Sequence, residues 1–234
     1  MQALNDEVLD RLRVAPGGPA NLAGRDPGWD GDDSIPRKQR KKAGRKLLAD
    51  GIERLRAAQE RLWAADSWSL LVVLQALDAA GKDSAIKHVF SGVNPQGCRV
   101  ASFKKPSARE LDHDYLWRCV QELPSRGRIG IFNRSYYEEV LVVRVHPELL
   151  EHQKLPPGVT RGGPELWAER YRSINDFERH LTLNGTRVVK FFLHLSPEEQ
   201  RERFLDRLRR PDKHWKFSTS DLAERAHWDD YMAA

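Results

Sequence analysis

One stretch narrows the choice of fold more than any other: Leu70 to His88, reading LLVVLQALDAAGKDSAIKH. A short apolar run passes into small residues, closes on Gly81-Lys82 and opens a helix-like pattern. A strand that turns through a glycine-lysine loop into a helix presents backbone N–H groups and a helix N-terminus together, which is how chains build a cradle for phosphate. Within the phosphate-loop pattern G-x-x-x-x-G-K-[ST], Ala76 takes the first glycine position and Asp83 the hydroxyl position.

The rest of the chain repeats the alternation of strand and helix. Between about Lys41 and Trp63, the apolar residues Leu47, Leu48, Ile52, Leu55, Leu62 and Trp63 recur at helical spacing. CRVASF reads as a second strand, and Pro106 to Val120 as a helix begun by Ser107 with Glu110 three residues on, a capping-box spacing. In that helix Asp114 and Arg118 stand at i,i+4, where a plain intrahelical ion pair accounts for them. RIGIF, Arg128 to Phe132, is a third strand; Pro164 to Leu183 is a long helix; TRVVKFFLHL, Thr186 to Leu195, is a fourth strand. SPEEQRERFLDRL then starts a helix with a serine cap, proline at the first helical position and acids in the first turn. The expectation is an α/β fold with a parallel sheet between two helical layers. Residues 1–36, rich in Gly, Pro and Asp without a period, read as a loosely structured extension ahead of a catalytic domain over 37–234.

Composition limits the function classes. At 234 residues, 40% hydrophobic and 31% charged, the chain is long enough for one sizeable core. The longest apolar run, Leu70 to Leu74, is too short to cross a membrane, and MQALNDEVLD lacks a signal-peptide layout, so a cytoplasmic protein is expected. Cys98 and Cys119 occur without CxxC or HExxH, which argues against a disulfide framework or a zinc site. A formal charge of +5, with basic runs at Arg37 to Lys42 and Arg201 to Lys216, points to an anionic partner. Nucleic acid, nucleotide and inorganic polyanion all remain open on charge alone. A basic nucleic-acid-binding protein is the non-enzyme alternative; against it, the aromatic residues are not interleaved with basic ones in any known binding motif.

Two acids inside a polyanion cradle, Asp78 and Asp83, need a reason. Bare carboxylates would repel phosphate, whereas Mg²⁺ takes one or two carboxylates together with phosphate and water. Both are candidate metal ligands; the structural alternative is that Asp83 caps the helix and Asp78 shapes the turn.

LQALDAAGKDSAIKHVFSGVNPQG, followed in order by SFKKPSARELDHDYLWR, GRIGIFNRSYYEEVLVVRVHPELL, KFFLHLSPEEQRERFLDRL and DKHWKFS, resembles the polyphosphate kinase 2 family, in particular its subgroup acting on nucleoside mono- and diphosphates. The resemblance implies a three-layer αβα P-loop kinase-like fold with a parallel sheet and a helical lid over about 197–220. It implies phosphoryl transfer between inorganic polyphosphate and AMP or ADP, giving ATP reversibly, with Mg²⁺ or Mn²⁺, in dimers or tetramers. The residues do not separate adenine from guanine nucleotides. Asp78, Lys82 and Asp83 match the family's Walker A motif, with Ala79, Ala80, Gly81 and Ser84 completing the phosphate-binding stretch, and Asn133-Arg134-Ser135 match its Walker B motif. Many relatives carry Asp where this chain has Asn133, which moves the metal burden to Asp78 and Asp83. The resemblance makes Asp78, Lys82 and Arg134 catalytic. It turns Lys104, Asp114, Arg118, Asn133 and Glu138 toward the nucleotide, and Arg203, Arg209, Lys213 and Lys216 of the lid toward the donor. His88 and His194 are read as local packing, not as phosphohistidine. Relatives continue beyond AHWDDYMAA into a further helix and strand, so four strands are expected where the family has five. An ATP-dependent nucleoside monophosphate kinase, sharing loop and lid, is the alternative.

Overall fold

Four strands, all parallel, form one sheet in a computed structural model that describes residues 8–159, 162–216 and 218–234, the side chains of 216, 219 and 220 excepted. They are β1 (Ser69–Gln75), β2 (Cys98–Ser102), β3 (Ile129–Asn133) and β4 (Thr186–Phe192), in the spatial order β2-β3-β1-β4. The register aligns Leu74 with Asn133 and Phe191, and Asn133 with Ser102. The carboxyl ends of all four strands therefore finish along one rim, where parallel sheets place their ligands.

Central strands buried on both faces read as continuous apolar runs, and β1 is such a strand, with Leu71, Val72, Val73 and Leu74 all buried. On one face Leu71, Val73 and Phe132 meet Ile174 and Leu181 of α6 (Gly163–Leu183). On the other, Val72, Leu74, Ile129 and Ile131 meet Leu62 of α1 (Arg37–Ala65) and Ile86 and Phe90 at α2 (Lys82–Val89). Parallel strands joined by helical crossovers on both faces produce these three layers. No helix among the described residues is long and apolar enough to cross a membrane.

The helix expected over 106–120 is two short ones, α3 (Ala108–Leu111) and α4 (Trp117–Val120). Ser107 does form the full capping box with Glu110. The helix then stops because side chains compete for its backbone: His113 Nδ1 reaches Arg109 O at 2.9 Å, and the Asp114 carboxylate accepts from Leu116 N–H at 2.9 Å. Asp114 and Arg118 thus share no helix face. Arg118 pairs with Glu110 instead, at 3.9 Å.

After β3 come α5 (Glu138–Val145) and α6; after β4 come α7 (Pro197–Arg209), a 3₁₀ segment over Pro211–Lys216, α8 (Thr219–Ala226) and α9 (Trp228–Ala233). Trp228, Tyr231 and Met232 of α9 pack with Leu77 in the loop after β1. The Ala234 carbonyl accepts from Arg144 and Tyr171. Ahead of α1, Arg25 ties the segment to itself through the carbonyls of Arg11, Arg13 and Ala20, and Arg40 pairs with Asp30 and Asp33.

Candidate active site

The loop from Ala76 to Gly81 sits on the rim at the end of central β1 and leads into α2. Two of its residues are left-handed, Ala79 (φ 62°) and Gly81 (φ 101°). Glycine adopts that conformation freely, whereas alanine in it costs roughly 1 kcal/mol and needs outside support. Lys82 is buried at the start of α2, and its Nζ donates to the carbonyls of Ala76 (2.8 Å) and Leu77 (3.3 Å). Burial, with the Arg134 charge beside it, lowers the Lys82 ammonium below its ordinary titration, against the raising influence of Asp78, Glu138 and Asp83.

β3 delivers the other half of the site. Arg134 directly follows β3 and is also left-handed, at φ 64°. Strain of this kind concentrates at functional sites. Its Nη2 donates to Asp78 Oδ1 at 2.7 Å, and its Nη1 lies 3.6 Å from Glu138. Asn133 Nδ2 donates to Asp83 Oδ1 at 2.8 Å, so Asp78 on the loop and Asp83 in the first turn of α2 are both drawn to the tip of β3. Glu138, at the start of α5, also accepts from the Gln75 amide. Burial raises the Glu138 carboxyl despite Arg134, the Gln75 bond and Lys82. On Arg134 the partners outweigh burial and its pKa rises. The carboxylate is the deeper group, and desolvation governs it.

From α7, Gln200 and Arg203 reach the loop, and Arg203 also pairs with Glu199 at 2.7 Å. Asp221 of α8 pairs with Arg207 at 3.1 Å. Desolvation first, and the Asp78 charge second, raise the Asp221 carboxyl. A cavity of about 40 Å³ lies under the loop, between Asp78, Arg134, Glu138, Gln200 and Tyr231. Lys213 is turned to Asp206 at 2.6 Å, Arg209 is exposed, and the Lys216 side chain lies outside the described residues.

Arg118 stands apart from this cluster, beside the edge strand β2, where an open cleft of about 580 Å³ is lined by Val100, Phe103, Arg109, Glu110, Trp117 and Arg118. Of Lys104, Asp114 and Arg118, it alone lines that cleft. Arg118 donates to the Lys104 carbonyl at 2.8 Å and lies over the Phe103 ring. Trp117 stacks on His113 at 4.0 Å, with Arg109 over it. Cleft and loop are linked by hydrogen bonds: Phe103 N–H donates to Asn133 O at 3.0 Å, and the Asn133 side chain holds Asp83.

The site thus joins a lysine, an arginine, two carboxylates and a helix N-terminus around one loop, a set suited to gripping phosphate with a cation. The chain matches the profile described as Polyphosphate kinase 2 over residues 38–234. It belongs to the polyphosphate kinase 2 family. A family relative in Rhodopseudomonas palustris, named ADP-polyphosphate phosphotransferase, is 59% identical over 80% of this chain and 65% of its own length. Another in Meiothermus ruber, named AMP/ADP-polyphosphate phosphotransferase, is 46% identical over 97% of this chain and 78% of its own. The crystal structure of Polyphosphate Kinase 2 from Arthrobacter aurescens superposes with a TM-score of 0.81 at 42% identity, covering 95% of this chain and 73% of that one. The chain therefore spans somewhat under two thirds of the first relative and about three quarters of the other two.

Gln75, Gln200, Asp221, Glu224, Arg225 and Tyr231 are among the polar residues at the site that sequence reasoning misses. A glutamine at the end of an apolar strand is the one available signal, for Gln75.

Proposed function

We propose that the chain transfers a phosphoryl group directly and in line between inorganic polyphosphate and the terminal phosphate of AMP or ADP. The observation that carries this reading is Lys82, buried against the Ala76 and Leu77 carbonyls beside the Asp78–Arg134 pair, in a chain of this family. Incoming phosphate oxygens compete with those two carbonyls for the ammonium. Phosphoryl transfer has a loose transition state with charge on its equatorial oxygens, so positioning and cations supply most of the catalysis. Arg134 offers a fixed fork of donors to that charge. No general base is required, because the acceptor's phosphate oxygen is already anionic. His88 is occupied by the Ser84 carbonyl of its own helix at 2.7 Å, which suits a local role.

Mg²⁺, or Mn²⁺ in its place, suits Asp78 and Asp83. Both are oxygen donors, Asp78 on the loop and Asp83 in the first turn of α2, and Arg134 and Asn133 hold them at the tip of β3 through nitrogen donors. Among the described residues no three His, Cys, Asp or Glu side chains cluster for a metal; Mg²⁺ commonly takes one or two carboxylates and fills its other positions with phosphate and water. Bound there, the ion would neutralise phosphate charge that the two carboxylates oppose.

The cleft beside β2, lined by Arg118, suits the acceptor, adenine or guanine nucleotide, with Arg118 and Lys104 toward its phosphates. Residues 197–220 act as the lid over the donor and exclude water, which would otherwise take the phosphoryl group. The protein works as a cytoplasmic dimer or tetramer. The test is product formation by the wild type from polyphosphate with ADP, polyphosphate with AMP, and ATP with AMP, each with Mg²⁺. Transfer from polyphosphate is expected; transfer from ATP alone would make the protein an ordinary nucleotide kinase.

A further inference from the structure

Five consecutive carbonyl oxygens of the phosphate loop are each taken by a side-chain donor. Lys82 Nζ takes those of Ala76 and Leu77. Gln200 Nε2 takes that of Asp78 at 3.0 Å, and Arg203 Nη1 those of Ala79 and Ala80 at 3.0 and 2.9 Å. In a planar peptide unit the C=O and the next N–H point in opposite directions. Holding the Asp78 carbonyl therefore aims the Ala79 N–H to the other side of the loop, at the very residue whose left-handed backbone needs support.

Gln200 is 4% exposed. Its Oε1 accepts from Arg225 Nη1 at 3.1 Å, and the same Nη1 donates to the Pro197 carbonyl at 2.6 Å. With an acceptor bond on one side and a donor bond on the other, the amide has a single orientation that satisfies both. A path of hydrogen bonds thus runs from α8, through α7, to the peptide between Asp78 and Ala79.

We propose that Gln200 is a positioning residue for phosphoryl transfer: anchored by Arg225, its amide sets the loop peptide at Asp78–Ala79, so that the loop N–H groups are aimed at phosphate before it arrives. The inference rests on the transfer reading above. Preorganised donors of this kind act on the transition state, not on ground-state binding, so their loss is read in kcat.

Gln200→Glu separates the two bonds. Its carboxylate still accepts from Arg225 but cannot donate to the Asp78 carbonyl, so the fold keeps its anchor and the loop loses its brace. In wild type, Gln200→Glu and Gln200→Leu, we would measure kcat and both KM values with polyphosphate and ADP, melting temperature, and amide hydrogen exchange across 76–84. For Gln200→Glu the expected result is a fall in kcat of about tenfold, the size of one lost hydrogen bond. KM values should stay within about threefold in the uncharged Gln200→Leu, and exchange at residues 79–82 should quicken about tenfold in both variants. Gln200→Leu should lose as much kcat and more melting temperature, since it also takes the Oε1 acceptor away from Arg225. Wild-type kcat in Gln200→Glu, or a loss that only tracks the amount of folded protein, would overturn the proposal. Should the wild type itself transfer nothing from polyphosphate, the functional reading falls, while loop exchange in Gln200→Glu still decides the positioning role: unchanged exchange overturns it.

Discussion

Lys82 and Glu138 show how burial tunes the charges of this site in opposite directions. The lysine loses part of its preference for the ammonium form, and the glutamate part of its preference for the carboxylate. Folding raises the Glu138 carboxyl above its ordinary value of 4.5. Its contribution to stability is therefore complete below that value and is lost as pH rises through the folded one. A glutamine in its place would keep an acceptor for the Gln75 amide and carry no charge to desolvate. Glu138→Gln should melt at or below the wild type near pH ~4.5 and above it near pH ~8. Thermal melts across that range check this, and a difference that does not grow with pH would contradict it.

β3 matters because it ends in Asn133 and is followed at once by Arg134, so whatever shifts the strand shifts the site. Gly130 lies in it against the Pro124 ring, and a Cβ there would come within 2.8 Å of Pro124 Cδ and 3.0 Å of Cγ. A ring cannot swing aside like a flexible side chain. Gly130→Ala should cost about 1–3 kcal/mol in denaturant unfolding, and should lower transfer more than the stability loss explains; wild-type values for both would mean that the strand yields freely. β1 and β3 are legible in the sequence because buried parallel strands are short apolar runs with breakers between them. β2 and β4, largely exposed, are legible through β-branched and aromatic residues, Val100 in the one and Val188, Val189, Phe191 and Phe192 in the other. Gly81-Lys82 is legible because the loop's chemistry is local to a few residues. The break between α3 and α4 is not legible, since periodicity records which face is apolar and says little about Asp114 and His113 competing for backbone groups. Gln200 and Arg225 are hidden for another reason: they act across more than a hundred residues on Asp78, and spacing within an amphipathic helix does not reveal which loop its buried face meets.

Sheet order brings these parts together. With β1 central, β3 beside it and β2 beyond, the loop over 76–81, the Arg134 tip and the β2 cleft follow one another along a single rim. A chain of net charge +5 attracts a polyanion from a distance, and salt screens that attraction. Raising salt from about 50 to about 300 mM should therefore increase KM for long-chain polyphosphate several-fold and KM for ADP much less; equal changes would show that the donor is held by close contacts alone. The most direct test of the whole account is the initial rate of ATP formation from ADP, long-chain polyphosphate and Mg²⁺, compared between wild type and Lys82→Ala at equal amounts of folded protein. The rate in the variant is expected to be at least about a hundredfold lower, as for the loss of one preorganised donor to a developing charge. A variant that forms ATP at the wild-type rate would place phosphoryl transfer somewhere other than the loop at the end of β1.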